Sequence, residues 1–207
     1  MTAETLLPLF PLGVVLFPGA RIPLHVFEER YRLLIAGCLE AGGEFGMHLA
    51  REGRLAGVGC TARVAEVVKR YDDGRMDIVA EGVRRYRLRR LVSGRKPYAL
   101  GVVEYLSEAP GRADPALVAE TLRLLRELLA VLPGAGPESV PEADPGGEVS
   151  YRLAPRAALD LEDRQRLLEL PSEGERMRFL NAHLRDVVPK IRRAEEIERL
   201  ARNDGYL

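Results

Sequence analysis

Residues 6–28 form an almost wholly apolar stretch that proline interrupts every few positions. The prolines are Pro8, Pro11, Pro18 and Pro23. Because proline removes a backbone donor and fixes φ, a helix across this stretch would break repeatedly. The stretch therefore predicts short extended pieces at 6–10, 14–17 and 21–27. Turns are expected at 11–13 and 18–19, where glycine follows proline closely.

The pattern that follows predicts one helix and then several strands. Residues 29–42 carry apolar side chains at helical spacing, and two glycines end that helix. Period-two alternation predicts strands at 44–50, 57–70, 76–80, 83–92 and 98–106. Asp73-Gly74 between two of them is typical of a hairpin turn. We therefore expect a compact, mostly antiparallel β-domain over about residues 1–110.

Beyond residue 110 the pattern is helical. Asp114-Pro115 begins a predicted helix that extends to about residue 132. Residues 133–148 hold four prolines and four glycines, which predicts a loop. Helices return from residue 149, with Asp160 as a predicted N-cap and a capping box at residues 172–175. Residues 111–207 are thus expected to form a helical domain that contains the loop.

The last predicted helix carries one apolar seam. Its positions are Met177, Leu180, Leu184, Val187, Ile191 and Ala194. Their spacing places them on one face, which must pack either within one molecule or between two copies in a homodimer. Pro189 is expected to kink or interrupt this helix.

Several motifs resemble a known family. Leu-Pro-Leu-Phe-Pro-Leu at 7–12 is followed by Val-Leu-Phe-Pro-Gly at 15–19 and by Pro-Leu-x-x-Phe-Glu at 23–28. Further on, 57–64 and the Glu-Gly-x-x-Arg-Tyr segment at 81–86 continue the likeness. In this order the motifs resemble the Lon N-terminal domain, the substrate-engaging module of an ATP-dependent protease. The resemblance is firm before residue 106 and looser after it.

The resemblance implies an α+β fold: a PUA-like, mostly antiparallel β-barrel domain followed by a helical domain. It also implies a stand-alone protein that engages unfolded or exposed polypeptide segments without hydrolysing ATP or cleaving them. The segments would lie in a groove between the β-domain and the helices or along an open strand edge. A role as adaptor or regulator of a separate protease is a further expectation.

The residues themselves offer no catalytic set. The phosphate-binding signature Gly-x-x-x-x-Gly-Lys-Ser/Thr is absent, and so is a serine–lysine arrangement of the kind that the protease uses. Three separated histidines and two cysteines without a CxxC pair predict no metal site and no disulfide framework. We therefore expect no enzyme activity and no cofactor.

Charge and hydropathy exclude further classes. Thirty-one basic and thirty-one acidic residues cancel, so no global charge favours nucleic acid or a membrane surface. The apolar N-terminus lacks a basic leader region, and no uninterrupted apolar run approaches the ~20 residues of a membrane helix. A cytoplasmic location is the expectation.

Two sets of side chains are candidates for binding. The candidates for contact with polypeptide are Phe17, Phe27, Tyr31, Phe45 and Met47, although each of them also suits a core. The alternative is RNA or DNA binding by residues 84–90, where a strand would place Arg85, Arg87 and Arg89 on one face. The competing interpretation of this basic strand is a solvated face whose arginines pair with nearby glutamates.

Overall fold

The computed structural model describes residues 5–92, 94, 96–132 and 148–203 of the chain. The chain divides into two compact units. The first unit contains the residues up to Ser107 together with Arg164–Glu169, and the second contains Glu108–Asp163 and the residues from Leu170 onward. The predicted domain boundary at residue 110 stays a prediction, but a short segment from far along the chain joins the first unit.

Seven strands and five α-helices make up the described residues. The strands are β1 (Thr5–Leu12), β2 (Arg21–Val26), β3 (Phe45–Arg51), β4 (Arg54–Leu55), β5 (Val58–Arg70), β6 (Met76–Val92) and β7 (Leu100–Tyr105). The helices are α1 (Glu29–Ala41), α2 (Pro115–Val131), α3 (Val149–Leu153), α4 (Leu161–Glu169) and α5 (Glu173–Asn203), with a 3₁₀ turn at Ala154–Arg156. The α+β class is therefore confirmed.

Five of the strands pair in a closed ring. The order β1-β7-β6-β5-β3 is closed by pairing between β3 and β1, and that last pairing is the parallel one. Strands β2 and β4 attach to the ring, β2 antiparallel to the first part of β6 and β4 to the end of β3. Ring closure satisfies the backbone groups along most strand edges, so β2 is left as an added strand.

The core of the first unit lies between this sheet and α1. Tyr31, Leu34, Ile35 and Cys38 form the buried stripe of α1, as helical spacing predicts. Residue Gly42 ends the helix in the left-handed conformation, with φ of 60°. Alternating residues of β6, from Met76 to Ala80, pack against the same core.

The prolines near the N-terminus act differently from the prediction. Strand β1 continues through Pro8 and Pro11, so the expected turn at 11–13 begins later, and residues 14–17 form no strand. Strand β1 changes partners midway: Thr5–Pro8 pair with β7, and Leu9–Leu12 pair with β3. A proline is tolerated where one side of the strand needs no backbone donor, which is why neither proline breaks it.

The second unit is built on α2 and α5. Leu122, Leu125, Leu128 and Leu129 are buried on α2, and the first half of the predicted seam of α5 is buried within the same molecule at Met177, Leu180 and Leu184. The second half of the seam is wrong, because Val188 is buried in place of Val187 and Ala194 is exposed. The predicted cap Asp160 and Ser172 of the predicted capping box accept hydrogen bonds from Asp163 N and Glu175 N. At the predicted start of α2, Asp114 accepts from Ala116 N. Helix α5 continues through Pro189 as one element. The predicted loop at 133–148 lies, except for Glu148, outside the described residues.

A fully buried arginine joins the segments of the second unit. Arg176 donates from both terminal nitrogens to the carboxylate of Glu108, at 3.0 and 2.9 Å, and from Nη2 to Glu173 at 3.0 Å. Its Nε donates to Ser150 Oγ at 2.9 Å, and its guanidinium lies 4.2 Å from the ring centroid of Tyr151. A bidentate arginine–carboxylate pair has a fixed geometry, so Arg176 ties α5 to residues on α3 and before α2.

None of the described helices is long and apolar enough to span a membrane.

Candidate functional site

Four of the five predicted polypeptide-binding residues lie in the core. Phe17, Tyr31, Phe45 and Met47 are buried, while 60% of Phe27 is exposed. The rings of Phe10 and Tyr31 stack at 4.1 Å between centroids, and the Phe45 ring lies 6.0 Å from that of Phe10. Tyr31, Phe45 and Met47 belong to the core between the sheet and α1, and Phe17 is buried as well, so these four side chains present no surface to a partner. A binding role for Phe27 stays a prediction.

Phe27 belongs to an aromatic patch, which we define as His25, Phe27 and Tyr71; the first two are exposed and Tyr71 is half-buried. The His25 ring stacks on Phe27 with 5.9 Å between centroids, and the Tyr71 ring meets His25 edge-on at 5.9 Å. His25 lies on β2, Phe27 follows it, and Tyr71 begins the turn after β5. Pairing of His25 with Asp77 across β2 and β6 brings these residues together.

One carboxylate orients the aromatic patch. Asp77 Oδ1 lies 2.5 Å from His25 Nδ1, and the Tyr71 hydroxyl donates to Asp77 Oδ2 at 2.8 Å. These two bonds, that with His25 first, hold the pKa of Asp77 below its usual range. The bond to Asp77 also raises the pKa of Tyr71. Asp77 thus stays charged near neutral pH and holds both rings in place.

Cations surround the Tyr71 ring. Lys69 Nζ lies 4.4 Å from the ring centroid, and the guanidinium carbon of Arg75 lies 5.0 Å from it. Both are within the range of a cation–π contact, which is modest at an exposed site. Tyr71 is therefore held by a hydrogen bond at its hydroxyl and by positive charge at its ring.

A cleft of about 360 Å³ opens next to Tyr71, and we call it the hairpin cleft. It is lined by Glu29, Arg32, Leu33 and Ala36 of α1 and by Arg70, Tyr71, Gly74, Arg75 and Met76 of the β5–β6 hairpin. Half of Leu33 is exposed, at 51%. An apolar floor with arginines around it can take an apolar side chain and favour a nearby carboxylate.

The turn of the hairpin is tied to α1. Arg32 Nη1 donates to the carbonyl of Asp73, and Arg75 donates from its backbone to the Asp73 carboxylate at 3.1 Å. Gly74 has φ of 85°, a left-handed conformation that suits glycine. These contacts fix the wall of the hairpin cleft opposite α1.

The basic strand is not the single exposed face that alternation predicts. Arg85 is buried, at 3% exposure, and its Nη1 donates to the carbonyl of Leu168 on α4 at 3.2 Å. Arg89 pairs with Glu104, while Arg87 is exposed. Segment Arg164–Glu169 belongs to the same unit and covers the strand at Arg85, which no local pattern reveals. The set predicted to hold nucleic acid therefore loses one of its three members.

A neighbouring arginine is also engaged. Arg84 donates to both carboxylate oxygens of Glu44, at 3.3 Å each, and its guanidinium lies 3.7 Å from the Tyr105 ring centroid. A register shift of β6 against β7 at residues 88–90 further breaks the alternation. This arrangement favours the interpretation of the basic strand as a paired, structural face.

Both thiols of the chain are free and buried. Burial raises the pKa of Cys38 to about 11 and that of Cys60 to about 12. Among the described residues no group of three or more histidine, cysteine or acidic side chains is placed to hold a metal ion.

Sequence reasoning missed Tyr71 and Leu33 as surface residues. Tyr71 stands directly before the turn at 72–74, and an aromatic side chain beside a hairpin turn is a usable signal for exposure. Leu33 lies beside the buried stripe of α1, between Arg32 and Leu34. Only the packing of the folded unit shows that its side chain faces solvent and not the core.

Comparison with known proteins identifies the family of the chain. The family model described as the ATP-dependent protease La (LON) substrate-binding domain matches residues 6–186. The chain belongs to this family. A Lon N-terminal domain protein from Xanthomonas campestris is 30% identical in sequence, with a TM-score of 0.68 over 86% of this chain and 98% of that one.

Other relatives show how much of a Lon protease is matched. The N-terminal domain of a Mycobacterium avium complex Lon protease shares the fold, with a TM-score of 0.66 over 88% of this chain and 99% of that one, at 22% identity. Lon protease of Anaeromyxobacter dehalogenans is 26% identical over 94% of this chain and 24% of its own length. Lon protease of Paraburkholderia phytofirmans is 30% identical over 68% of this chain and 19% of its own length. The chain thus spans about a quarter or less of these Lon proteases.

Proposed function

We propose that the first unit binds unfolded or exposed segments of other polypeptides at a surface made of the aromatic patch and the hairpin cleft. The observation that carries the proposal is the exposure of two large apolar side chains: Phe27, which stacks on His25 beside Tyr71, and Leu33, which lines the hairpin cleft together with Tyr71. Contiguous apolar and aromatic surface on a folded protein is a common mark of a binding site, whereas single exposed apolar side chains are ordinary. Membership of the Lon substrate-binding domain family supports polypeptide as the ligand.

The chemistry of the surface suits weak, sequence-tolerant capture. Phe27 and Leu33 offer apolar contact, and Arg32 and Arg75 around the cleft offer donors to backbone carbonyls or carboxylates. An aromatic anchor beside a shallow cleft gives affinity without requiring one exact partner sequence.

Binding without cleavage is the second part of the proposal. The chain would hold a client while a separate protease or chaperone acts on it, as an adaptor or regulator. A homodimer and a cytoplasmic location stay predictions.

The test measures binding of a permanently unfolded, reduced and carboxymethylated model protein by fluorescence anisotropy. Phe27→Ala and Leu33→Ala should each weaken binding about fivefold or more, since removal of a central apolar contact costs about 1 kcal/mol or more. Leu91→Ala is the matched control, because Leu91 is similarly exposed, at 52%, near the other end of β6. It should change binding less than twofold.

Equal affinity for all three variants would contradict the proposed surface. The same titration with a single-stranded oligonucleotide tests the nucleic-acid alternative. Binding to the oligonucleotide that falls steeply with salt, with no binding of the unfolded protein, would replace the proposal.

A further inference from the structure

We propose that the outer edge of β2 takes the bound polypeptide as an added β-strand. The inference rests on the proposed function and specifies how the client is held: by backbone pairing along β2 next to the aromatic patch. It also states the client class, an extended segment with alternating apolar side chains.

Strand β2 has one paired edge. All six of its residues pair with β6, in an unbroken antiparallel register from Arg21 opposite Glu81 to Val26 opposite Met76. Among the described strands none pairs with the other edge of β2. The backbone groups on that edge are therefore left for solvent or for an incoming chain.

The register decides which backbone groups point outward. Gly82 N donates to Ala20 O at 2.9 Å, so the residue just before β2 directs its carbonyl towards β6. In an antiparallel ladder this direction alternates, so Ile22, Leu24 and Val26 also face β6. The outward residues are then Arg21, Pro23 and His25.

The position of the proline supports this assignment. Pro23 has no N–H to offer, and a proline within a sheet is found where its missing donor would face away from the neighbouring strand. Arg21 and His25 each present one donor and one acceptor at the free edge, and Pro23 presents only an acceptor. The edge thus offers donors at two positions, four residues apart, with a carbonyl between them.

The side chains of β2 define what an added strand would meet. Ile22 and Leu24 are only partly buried and pack against the core from its margin. Arg21, Pro23 and His25 are exposed on the opposite face. A segment whose alternate side chains are apolar would cover Ile22 and Leu24, and such segments are what a protein exposes when its sheets come apart.

Another open edge in the unit is protected. The distal half of β5 pairs only with β6, but register shifts interrupt it between Val64 and Glu66 and between Val67 and Lys69. Bulges and terminal cations are devices that discourage strand addition. Strand β2 keeps an unbroken register with β6; Arg21 and Pro23 lie on its outward edge, but Pro23 removes only one of its donors, and the strand leads directly into exposed Phe27.

The test follows individual amide protons by NMR hydrogen exchange in the full chain. The probe is an acetylated peptide of about nine residues that alternates valine and threonine, a typical strand length. On binding, the amides of Arg21 and His25 should exchange about tenfold or more slowly, because they become hydrogen-bonded. The amides of Ile22 and Leu24 already pair with β6 and should change much less.

Two variants sharpen the test. Pro23→Val restores a third outward donor and should tighten peptide binding about threefold or more, while Arg21→Ala keeps the backbone and should stay within about twofold. Two further peptides carry N-methyl groups at either the odd or the even residues. One of them should lose binding, because its donors to β2 are blocked, and the other should keep it.

The outcomes separate the two proposals. Peptide binding that depends on Phe27 but leaves the Arg21 and His25 amides unprotected overturns strand addition and leaves the proposed function standing. No binding of either peptide or unfolded protein overturns both. Protection of these amides that grows with protein concentration and without peptide assigns the edge to a second copy of the chain, and that also overturns the proposal.

Discussion

At the scale of single residues, an unusual feature of the core is the buried histidine His48. The ring of His48 and the hydroxyl of Tyr86 are buried, the hydroxyl has no hydrogen-bond partner among the described residues, and the two rings meet edge-on at 4.7 Å. A Cβ on Gly46 would collide with the Tyr86 hydroxyl, and one on Gly59 would lie 2.5 Å from Met47 O. The two glycines are therefore needed for space, and the histidine is held neutral by its surroundings.

His48 predicts how stability depends on pH. Burial lowers its pKa to about 4, whereas an unfolded histidine titrates near 6.5. Between these values the unfolded chain binds the extra proton, so stability falls as pH decreases through this window, by about 2 kcal/mol from neutral pH to pH 5. Urea unfolding at several pH values measures this loss.

The comparison variant is His48→Leu, which has similar bulk and no titrating group. Its free energy of unfolding should fall less between neutral pH and pH 5. The difference between the two proteins is the loss that protonation of His48 causes. Parallel pH dependence in the two proteins would show that His48 titrates normally.

At the scale of elements, Arg176 joins helix α5 to segments outside the helix. Glu173 lies one turn before Arg176, and Glu108 lies outside the helix. Burial, together with the charge of Glu108, raises the pKa of the adjacent Glu148. The arginine is the positive charge that allows these carboxylates to lie close to each other.

Removal of that charge should be costly. Arg176→Met keeps much of the side-chain volume but removes the guanidinium from the carboxylates of Glu108 and Glu173. Because Glu108 is partly exposed and Glu173 keeps its bonds from Ser150, we expect a loss of about 1–3 kcal/mol in the free energy of unfolding. Arg178→Met is the control, since Arg178 is exposed two residues further along α5. Urea unfolding followed by circular dichroism separates them, and equal midpoints would contradict the role given to Arg176.

At the scale of the whole molecule, the first unit is completed by residues from the middle of the second half of the chain. Gln165 Nε2 donates to Val58 O at 3.0 Å, and Leu168 O accepts from Arg85. Both bonds are buried, and both join α4 to strands more than eighty residues earlier. A β-domain cut at residue 110 would lack them.

A fragment of residues 1–110 should therefore be less stable than the same unit in the full chain. Loss of the two buried hydrogen bonds that α4 makes, from Arg85 to Leu168 O and from Gln165 to Val58 O, should together cost about 2 kcal/mol or more. Gln165→Ala in the full chain should show a smaller part of the loss. Thermal unfolding of the full chain, the Gln165→Ala variant and the fragment should give midpoints that decrease in this order. A fragment as stable as the full chain would contradict the stabilising role of α4.

Local sequence determined much of this protein: the helix at α1, the caps at Asp114, Asp160 and Ser172, the turn before β6, and the family motifs. These depend on backbone preferences and on periods of two or 3.6 residues, which neighbours in sequence carry.

Only the tertiary structure decided which aromatic side chains are exposed, that Arg85 is buried, and that β2 has a free edge. It also showed that proline leaves β1 unbroken and that α5 continues through Pro189. These features depend on pairing and covering by segments distant in sequence, on register shifts, and on which side of a strand lacks a partner. A pattern read along one segment contains none of that information.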